Sequence, residues 1–252
     1  MDFSKNQLER YKRNIAIKEI GLSGQKKLSE AKVLVVGCGG LGSPAALYLS
    51  ASGIGTLGLI DNDVVELSNL QRQIIHSTDT LGIPKAISAK RTLERLNPDT
   101  KVIAMNLKVT RENLPKICED YDFILDCTDS FASKYIVSDS CVKANKPYVH
   151  AAVVRFLGQV MTVIPGKTPC YRCIFRDEPL DQSLPSPEQL GVMGASCGII
   201  GALEALEAIK YITGVGELLT GYLLSFDGLN MTFNKVKLPL KDDDCPCCGH
   251  LN

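Results

Sequence analysis

A glycine-rich turn, GCGGLG at residues 37–42, stands between the apolar run VLVVG and the segment LGSPAALYLSAS, and an acid, Asp61, closes the next apolar run. These residue types at this spacing do nucleotide chemistry. Gly37 permits a tight turn, Gly39 lets backbone approach a phosphate, and Gly42 lets helix and strand pack closely, with the helix N-terminus facing the anion. Asp61 follows at roughly the 20-residue distance where a carboxylate ending a second strand accepts ribose hydroxyls. A nicotinamide dinucleotide would use the same turn and the same acid, so an NAD-dependent oxidoreductase is the first competing reading.

The next segment, DNDVVELSNLQRQIIH (61–76), goes beyond what a hydride enzyme needs. It places Asn69, Gln71 and Arg72 directly after the ribose acid, and Lys85 follows at the start of the next expected helix. Displacement at the α-phosphorus of a triphosphate builds charge on the departing pyrophosphate, which an arginine and a lysine can stabilise. Taken singly, either cation would be an ordinary solvated surface charge. LDCTDS (125–130) ends an apolar run with two acids. Asp129 is the better placed to hold Mg²⁺ against phosphate oxygens, although capping of the following helix would also explain either acid.

Two CxxC pairs, Cys170 with Cys173 and Cys245 with Cys248, lie far apart in the chain. Each short turn can present two thiolates to a tetrahedral zinc, and four sulfurs close the site, so the metal would be a structural staple tying the two regions together. Redox chemistry is the alternative for a CxxC pair. Cys247 is a surplus thiol and could replace Cys248 as ligand. Cys38, Cys118, Cys127, Cys141 and Cys197 lie among apolar or small residues, where cysteine packs as a small hydrophobe. For Cys197 a lowered pKa at the start of a helix, and with it a nucleophile role, is the competing reading. The three histidines, His76, His150 and His250, fall outside the nucleotide motifs and read as structural.

The elements that must position these residues follow from periodicity. Residues 5–30 carry apolar side chains at loosely helical spacing, a short amphipathic lead-in. Strand 33–37, helix 41–52 and strand 56–60 form a βαβ unit; a helix runs from Pro84 to about Leu96; strand 102–109, a helix near 111–119 and strand 123–127 repeat the alternation. A helix near 133–144 and the strand PYVHAAVV complete it. GQVMTVI, YLLSFD and MTFNKVKL then arrive with little helix between them, so the sheet is expected to turn antiparallel. GIIGALEALEAIKYIT (198–213) is apolar on most faces and reads as a buried helix. RDEPLDQSLPSPEQLG (176–191), rich in proline and charge, reads as a long exposed loop. The expected fold class is α/β, a doubly wound Rossmann-like sheet whose parallel N-terminal half continues into antiparallel strands, with a four-cysteine zinc site. One domain over 1–252 is expected, its nucleotide-binding half at 31–150, its carrier-binding and zinc-containing half at 151–252, and a crossover loop at 176–191.

The 252 residues carry 28 basic and 28 acidic side chains, so no net field points to nucleic acid or an anionic membrane. No run has the length of a membrane span and the start has no apolar signal region, so a cytoplasmic location is the expectation.

GCGGLG, the D-x-D of Asp61 and Asp63, SNLQRQ (68–73), PK (84–85), DCTD (126–129), the PCYRC and CPCCG pairs and RYKRN (10–14), in this order, resemble the ubiquitin-activating-type superfamily, in its bacterial ThiF/MoeB/HesA branch. The resemblance covers nearly the whole chain. It implies ATP-dependent adenylation of the C-terminal glycine carboxylate of a ubiquitin-like sulfur-carrier protein ending in Gly-Gly, of molybdopterin or thiamine type, with release of pyrophosphate. It also implies roles: Gly40 and its neighbours cradle phosphate, Asp61 the ribose, Asn69, Arg72 and Lys85 contact the triphosphate, and Asp129 holds magnesium. Asp63, Ser68, Leu70, Gln71 and Ser130 join the nucleotide-contacting set. Relatives are homodimers in which the residue matching Arg13 crosses into the neighbouring subunit's site. Many carry a cysteine four residues before the glycine matching Gly191; this chain has Pro187 there, which can form neither thioester nor persulfide, so adenylation alone is expected and sulfur would come from a separate sulfurtransferase. A catalytically idle scaffold that only binds a carrier is the third reading, opposed by the intact set of polar residues.

Overall fold

The computed structural model describes residues 3–176, 178 and 190–251. Most of the expected 176–191 loop, Pro187 included, therefore lies outside the described residues.

Two helices, α1 (Lys5–Ile15) and α2 (Gly21–Glu30), lead in. Ser4 caps α1: its hydroxyl accepts from the Gln7 amide while the Gln7 side chain takes the Ser4 amide, a reciprocal box that satisfies two otherwise orphaned donors. Then β1 (Lys32–Val36), α3 (Gly42–Ser52), β2 (Thr56–Ile60), α4 (Lys85–Leu96), β3 (Lys101–Met105), α5 (Leu114–Cys118), β4 (Phe123–Asp126), α6 (Phe131–Lys143) and β5 (Tyr148–Val154) alternate, as the periodicity predicts. They are followed by β6 (Leu157–Val163), a short α7 (Tyr171–Ile174), the long α8 (Gly194–Thr213), β7 (Tyr222–Asp227) and β8 (Thr232–Lys237).

The strands form one sheet in the order β3-β2-β1-β4-β5-β6-β7-β8. The first five are parallel, with β1 between β2 and β4, and β6, β7 and β8 add antiparallel. Parallel strands buried on both faces need continuous apolar runs, and Val33 to Val36, Leu57, Leu59 and Phe123 to Leu125 are fully buried. One face packs on α3 and α8; the other carries Leu34, Val36, Ile124, Tyr135 and the C-terminal cysteines. Every residue of β8 is exposed. No helix among the described residues is long and apolar enough to cross a membrane.

Two boundaries differ from expectation. β3 ends at Met105, not Val109: its ladder partner β2 ends at Ile60, opposite Met105, so residues beyond have nothing to pair with and leave the sheet. The lead-in is two helices, with Gly21 at φ +57° marking the break.

Candidate active site

The chain steps outward from β1 to β2 to β3, then crosses back to place β4 on the other side of β1. This is the switch point beyond whose strand ends open α/β sheets hold ligands. A cleft of about 630 Å³ lies there, within the size range of small-molecule sites.

Its floor is the glycine turn. Gly37 sits at φ +98°, and a Cβ there would come within 2.7 Å of the Cys127 carbonyl, so the residue must be glycine on both counts. A Cβ on Gly42 would lie 1.9 Å from the Gly37 carbonyl; the first turn of α3 approaches the strand exit too closely for any side chain. Side chains fix the turn from both sides. The Cys38 amide donates to Asp61 Oδ2 at 2.8 Å, and the Asp63 amide donates to Asp61 Oδ1 at 2.9 Å. His76 Nε2 lies 3.0 Å from the Cys38 carbonyl and Nδ1 2.9 Å from Ser88 Oγ. A carbonyl can only accept, so the proton is on Nε2 and the serine hydroxyl donates to Nδ1. Burial pushes the His76 pKa down, which keeps the ring neutral.

Burial pushes the Asp61 carboxyl up, against the two amides and the Lys85 charge that hold it down. Opposite the turn, Lys85 Nζ pairs with Asp63 at 2.9 Å, and Arg72 Nη1 donates to the Ser68 carbonyl at 3.2 Å. Asn69, buried, accepts the Glu66 amide. Leu107 and Val109, released from the sheet where β3 stops, line the cleft with Ile60. Asp129 stands at the exit of β4 and is exposed. Among the described residues its carboxylate makes no hydrogen bond or ion pair. The neighbouring Ser130, not Asp129, caps α6.

Thus the cleft gathers Gly37, Gly39, Gly40, Asp61, Asp63, Ser68, Asn69, Gln71, Arg72, Lys85 and Asp129. Gly42, Leu70 and Ser130 are not among its lining residues, and Arg13 is exposed on α1 away from it. Residues to which the sequence reading gives no site role also line it, including Gln73, Lys134 and Val153, and so does Cys197, weighed there as a packing residue or a nucleophile. A lowered pKa for Cys197 is not what the surroundings give: burial pushes it up to about 11, outweighing the Arg72 charge that pulls it down. Its position near the start of α8 is outweighed by its burial, so it packs as a thiol.

Beneath Asp129 lies a buried ionic cluster. Burial alone would raise Asp126, but the Lys134 charge and hydrogen bonds from His150 and Thr128 bring its carboxyl down to about 2. Glu204 from α8, fully buried, is pushed well up by burial and then by the Asp126 charge, so it is a neutral acid near Cys127 Sγ. His150, also lowered by burial, donates from Nδ1 to Asp126 at 2.9 Å.

On the other face of the sheet the sulfurs of Cys170, Cys173, Cys245 and Cys248 all lie within 4.8 Å of one another. Three neighbouring pairs are 3.8, 3.7 and 3.4 Å apart. A tetrahedral site with metal–sulfur bonds of about 2.3 Å has sulfur–sulfur edges of about 3.8 Å, so these four fit a metal with little movement. Of the two candidates for the fourth position, Cys248 completes the cluster and Cys247 falls outside it. The other five cysteines are buried, as expected.

Comparison with known proteins agrees with this geometry. The profile described as "ThiF family" matches residues 11–247. The adenylyltransferase and sulfurtransferase MOCS3 of Xenopus laevis is 43% identical over 241 residues, covering 96% of this chain and 53% of the relative. The SAMP-activating enzyme E1 of Haloferax volcanii is 42% identical over 244 residues, covering 96% of this chain and 89% of the relative. The chain spans about half the length of the MOCS3 relatives it matches. Among solved structures, E. coli MccB with MccA-N7isoASN superposes with a TM-score of 0.85 at 28% identity, over 97% of this chain and 75% of that one. E. coli MccB with ATP gives 0.82 at 29% identity, over 95% and 74%. On the glycine turn, the acids beyond it and the match along nearly its whole length, the chain belongs to the ThiF family.

Proposed function

We propose that this chain is an ATP-dependent adenylyltransferase that activates the C-terminal glycine carboxylate of a ubiquitin-like sulfur-carrier protein as an acyl-adenylate, releasing pyrophosphate. The observation that carries this reading is the convergence of Asp61, Asn69, Arg72, Lys85 and Asp129 on one cleft around the 37–42 turn. The carboxylate oxygen attacks the α-phosphorus, the bond to the bridging oxygen breaks, and that oxygen leaves with pyrophosphate. No catalytic base is needed, because a terminal carboxylate is already ionised at neutral pH. The protein has to align two substrates and neutralise developing charge.

In this reading Gly39 and Gly40 cradle phosphate, with Gly37 and Gly42 shaping the turn. Asp61 takes the ribose, with Asp63, Ser68, Leu70, Gln71 and Ser130 around the nucleotide. Asn69, Arg72 and Lys85 contact the triphosphate. Asp129, exposed and unpaired, suits a cation that takes one or two protein carboxylates plus substrate oxygens, and would hold Mg²⁺. The four sulfurs suit Zn²⁺, whose role there is structural. Arg13 acts on the neighbouring subunit's cleft in a homodimer, a role that suits an exposed residue outside the lining of its own cleft. Residues 31–150 are the nucleotide half and 151–252 the carrier-binding half of one domain. The exposed Met231 and Phe233 of the last hairpin offer the carrier an apolar patch. Because Pro187 stands where many relatives carry a cysteine, no covalent sulfur step uses that position. A reducing cytoplasmic setting is consistent with cysteines that form no disulfide among the described residues.

A nicotinamide enzyme would not explain Arg72 and Lys85 in the same cleft, and an idle scaffold would not explain Asp129. The test is ATP–pyrophosphate exchange dependent on a carrier ending in Gly-Gly. Exchange is expected in the native protein and not in the double variant Asp129→Ala, Arg72→Ala; exchange surviving in the double variant would overturn the site assignment.

A further inference from the structure

Lys134 lines the cleft yet is only 5% exposed, and its ammonium group is spent on backbone. Nζ donates to the Thr128 carbonyl at 2.7 Å and to the Ala151 carbonyl at 2.6 Å, and lies 3.6 Å from Asp126 Oδ2. Two of its three donors are thus bonded to backbone carbonyls, and its charge faces the Asp126 carboxylate. The same turn is gripped from below: Thr128 Oγ1 donates to Asp126 Oδ1 at 2.6 Å, and the Thr128 amide approaches the same oxygen at 3.3 Å. Asp126 is in turn oriented by His150. Every polar group of Thr128 is thus bonded, and the next residue is Asp129, whose carboxylate has no hydrogen-bond or ion-pair partner among the described residues.

We propose that Lys134 is a positioning residue for Asp129: by holding the Thr128 carbonyl against β5 it fixes the turn that aims the Asp129 carboxylate at the cation on the triphosphate. This rests on the adenylation reading above. A rigid presentation matters because magnesium accepts little departure from octahedral geometry, so a carboxylate on a wandering turn binds it weakly. The role belongs to a buried cation at this place. A neutral side chain would leave two carbonyls without a donor and Asp126 with one charged neighbour fewer.

The test measures equilibrium binding of a non-hydrolysable ATP analogue over a Mg²⁺ titration, together with hydrogen exchange of the 127–131 amides, in native protein, Lys134→Met and Lys134→Arg. In Lys134→Met the Mg²⁺ concentration for half-maximal enhancement of binding is expected to rise about tenfold, analogue affinity without Mg²⁺ to change less than twofold, and the 127–131 amides to lose protection. Lys134→Arg, which keeps donors for the carbonyls, should recover most of the Mg²⁺ response. If Lys134→Met does not fold, Thr128→Val, which cuts the same turn from Asp126 without stranding a charge, is expected to shift the Mg²⁺ response about threefold in the same direction. An unchanged Mg²⁺ response in whichever variant folds, or an equal loss with and without Mg²⁺, overturns the positioning role while leaving the adenylation reading intact. Native protein that binds no ATP analogue at all overturns both.

Discussion

Lys85 Nζ lies 2.9 Å from Asp63 Oδ2, and the lysine is the covered partner, its side chain 9% exposed against 61% for the aspartate. An exposed carboxylate gains little from such a pair, whereas a covered lysine is held pointing at the mouth of the cleft. Lys85→Ala is expected to lower the ATP–pyrophosphate exchange rate by about 10²–10³-fold, the cost of removing one charge-stabilising donor from a transition state. Asp63→Asn should cost under tenfold. Exchange rates at saturating ATP check both, with melting temperature confirming that each variant is folded.

Gly40 differs from its neighbours in what crowds it. A Cβ there would stand 2.9 Å from Cys197 Sγ, a side-chain atom, whereas at Gly42 the obstacle is backbone at 1.9 Å. Gly40→Ala should therefore weaken nucleotide binding, and adding Cys197→Gly should restore most of it. Gly42→Ala should have no such rescue. Nucleotide titration of the single and double variants decides this.

Glu204 makes stability depend on pH. Its folded pKa is raised by burial, so above the ordinary carboxyl pKa the unfolded chain releases a proton that the folded chain keeps. Folding then takes up one proton, and stability falls by about 1.4 kcal/mol per pH unit from there until the raised folded pKa is reached. Glu204→Gln should remove this slope: little changed near pH 4, and more stable than the native protein at pH 8. Asp126 works in the opposite direction, its contribution complete above the ordinary carboxyl pKa and lost as pH falls toward about 2. Urea unfolding across about pH 2–8 separates the two, Asp126 acting below the ordinary carboxyl pKa and Glu204 above it.

The cysteine cluster predicts which thiol matters. Cys248→Ser should abolish stoichiometric zinc and lower the melting temperature by roughly 10 °C or more, because metal affinity is folding free energy in such sites. Cys247→Ser should keep one zinc per chain. Elemental analysis with thermal melting reads both, and a chelator should lower the melting temperature of the native protein to that of Cys248→Ser.

Much of this site is written in local sequence. Gly42 answers to the Gly37 carbonyl a few residues away, Gly37 to its own positive φ, and Asp61 to its place at a strand end, so type and spacing suffice. Lys134 and His76 are different. Each acts on a carbonyl brought near only by the sheet, Thr128 and Ala151 for one and Cys38 for the other, and nothing in the flanking residues marks them. Gln73 sits beside the recognised SNLQR string, and its burial is visible only in three dimensions. The end of β3 depends on where its neighbour stops. Cys247 and Cys248 are adjacent in sequence, and only the positions of the other three sulfurs tell them apart.

Cys170 and Cys245 stand 75 residues apart in the chain and 3.7 Å apart in space. On a ribosome, the first pair of thiols emerges long before the second, and the intervening residues include α8, the helix that packs against α3 beneath the glycine turn. A metal could be gripped by all four sulfurs only once synthesis has passed Cys248, so it would act as a late clasp over everything folded between the two pairs, and a product lacking the second pair would be left unclasped for proteases.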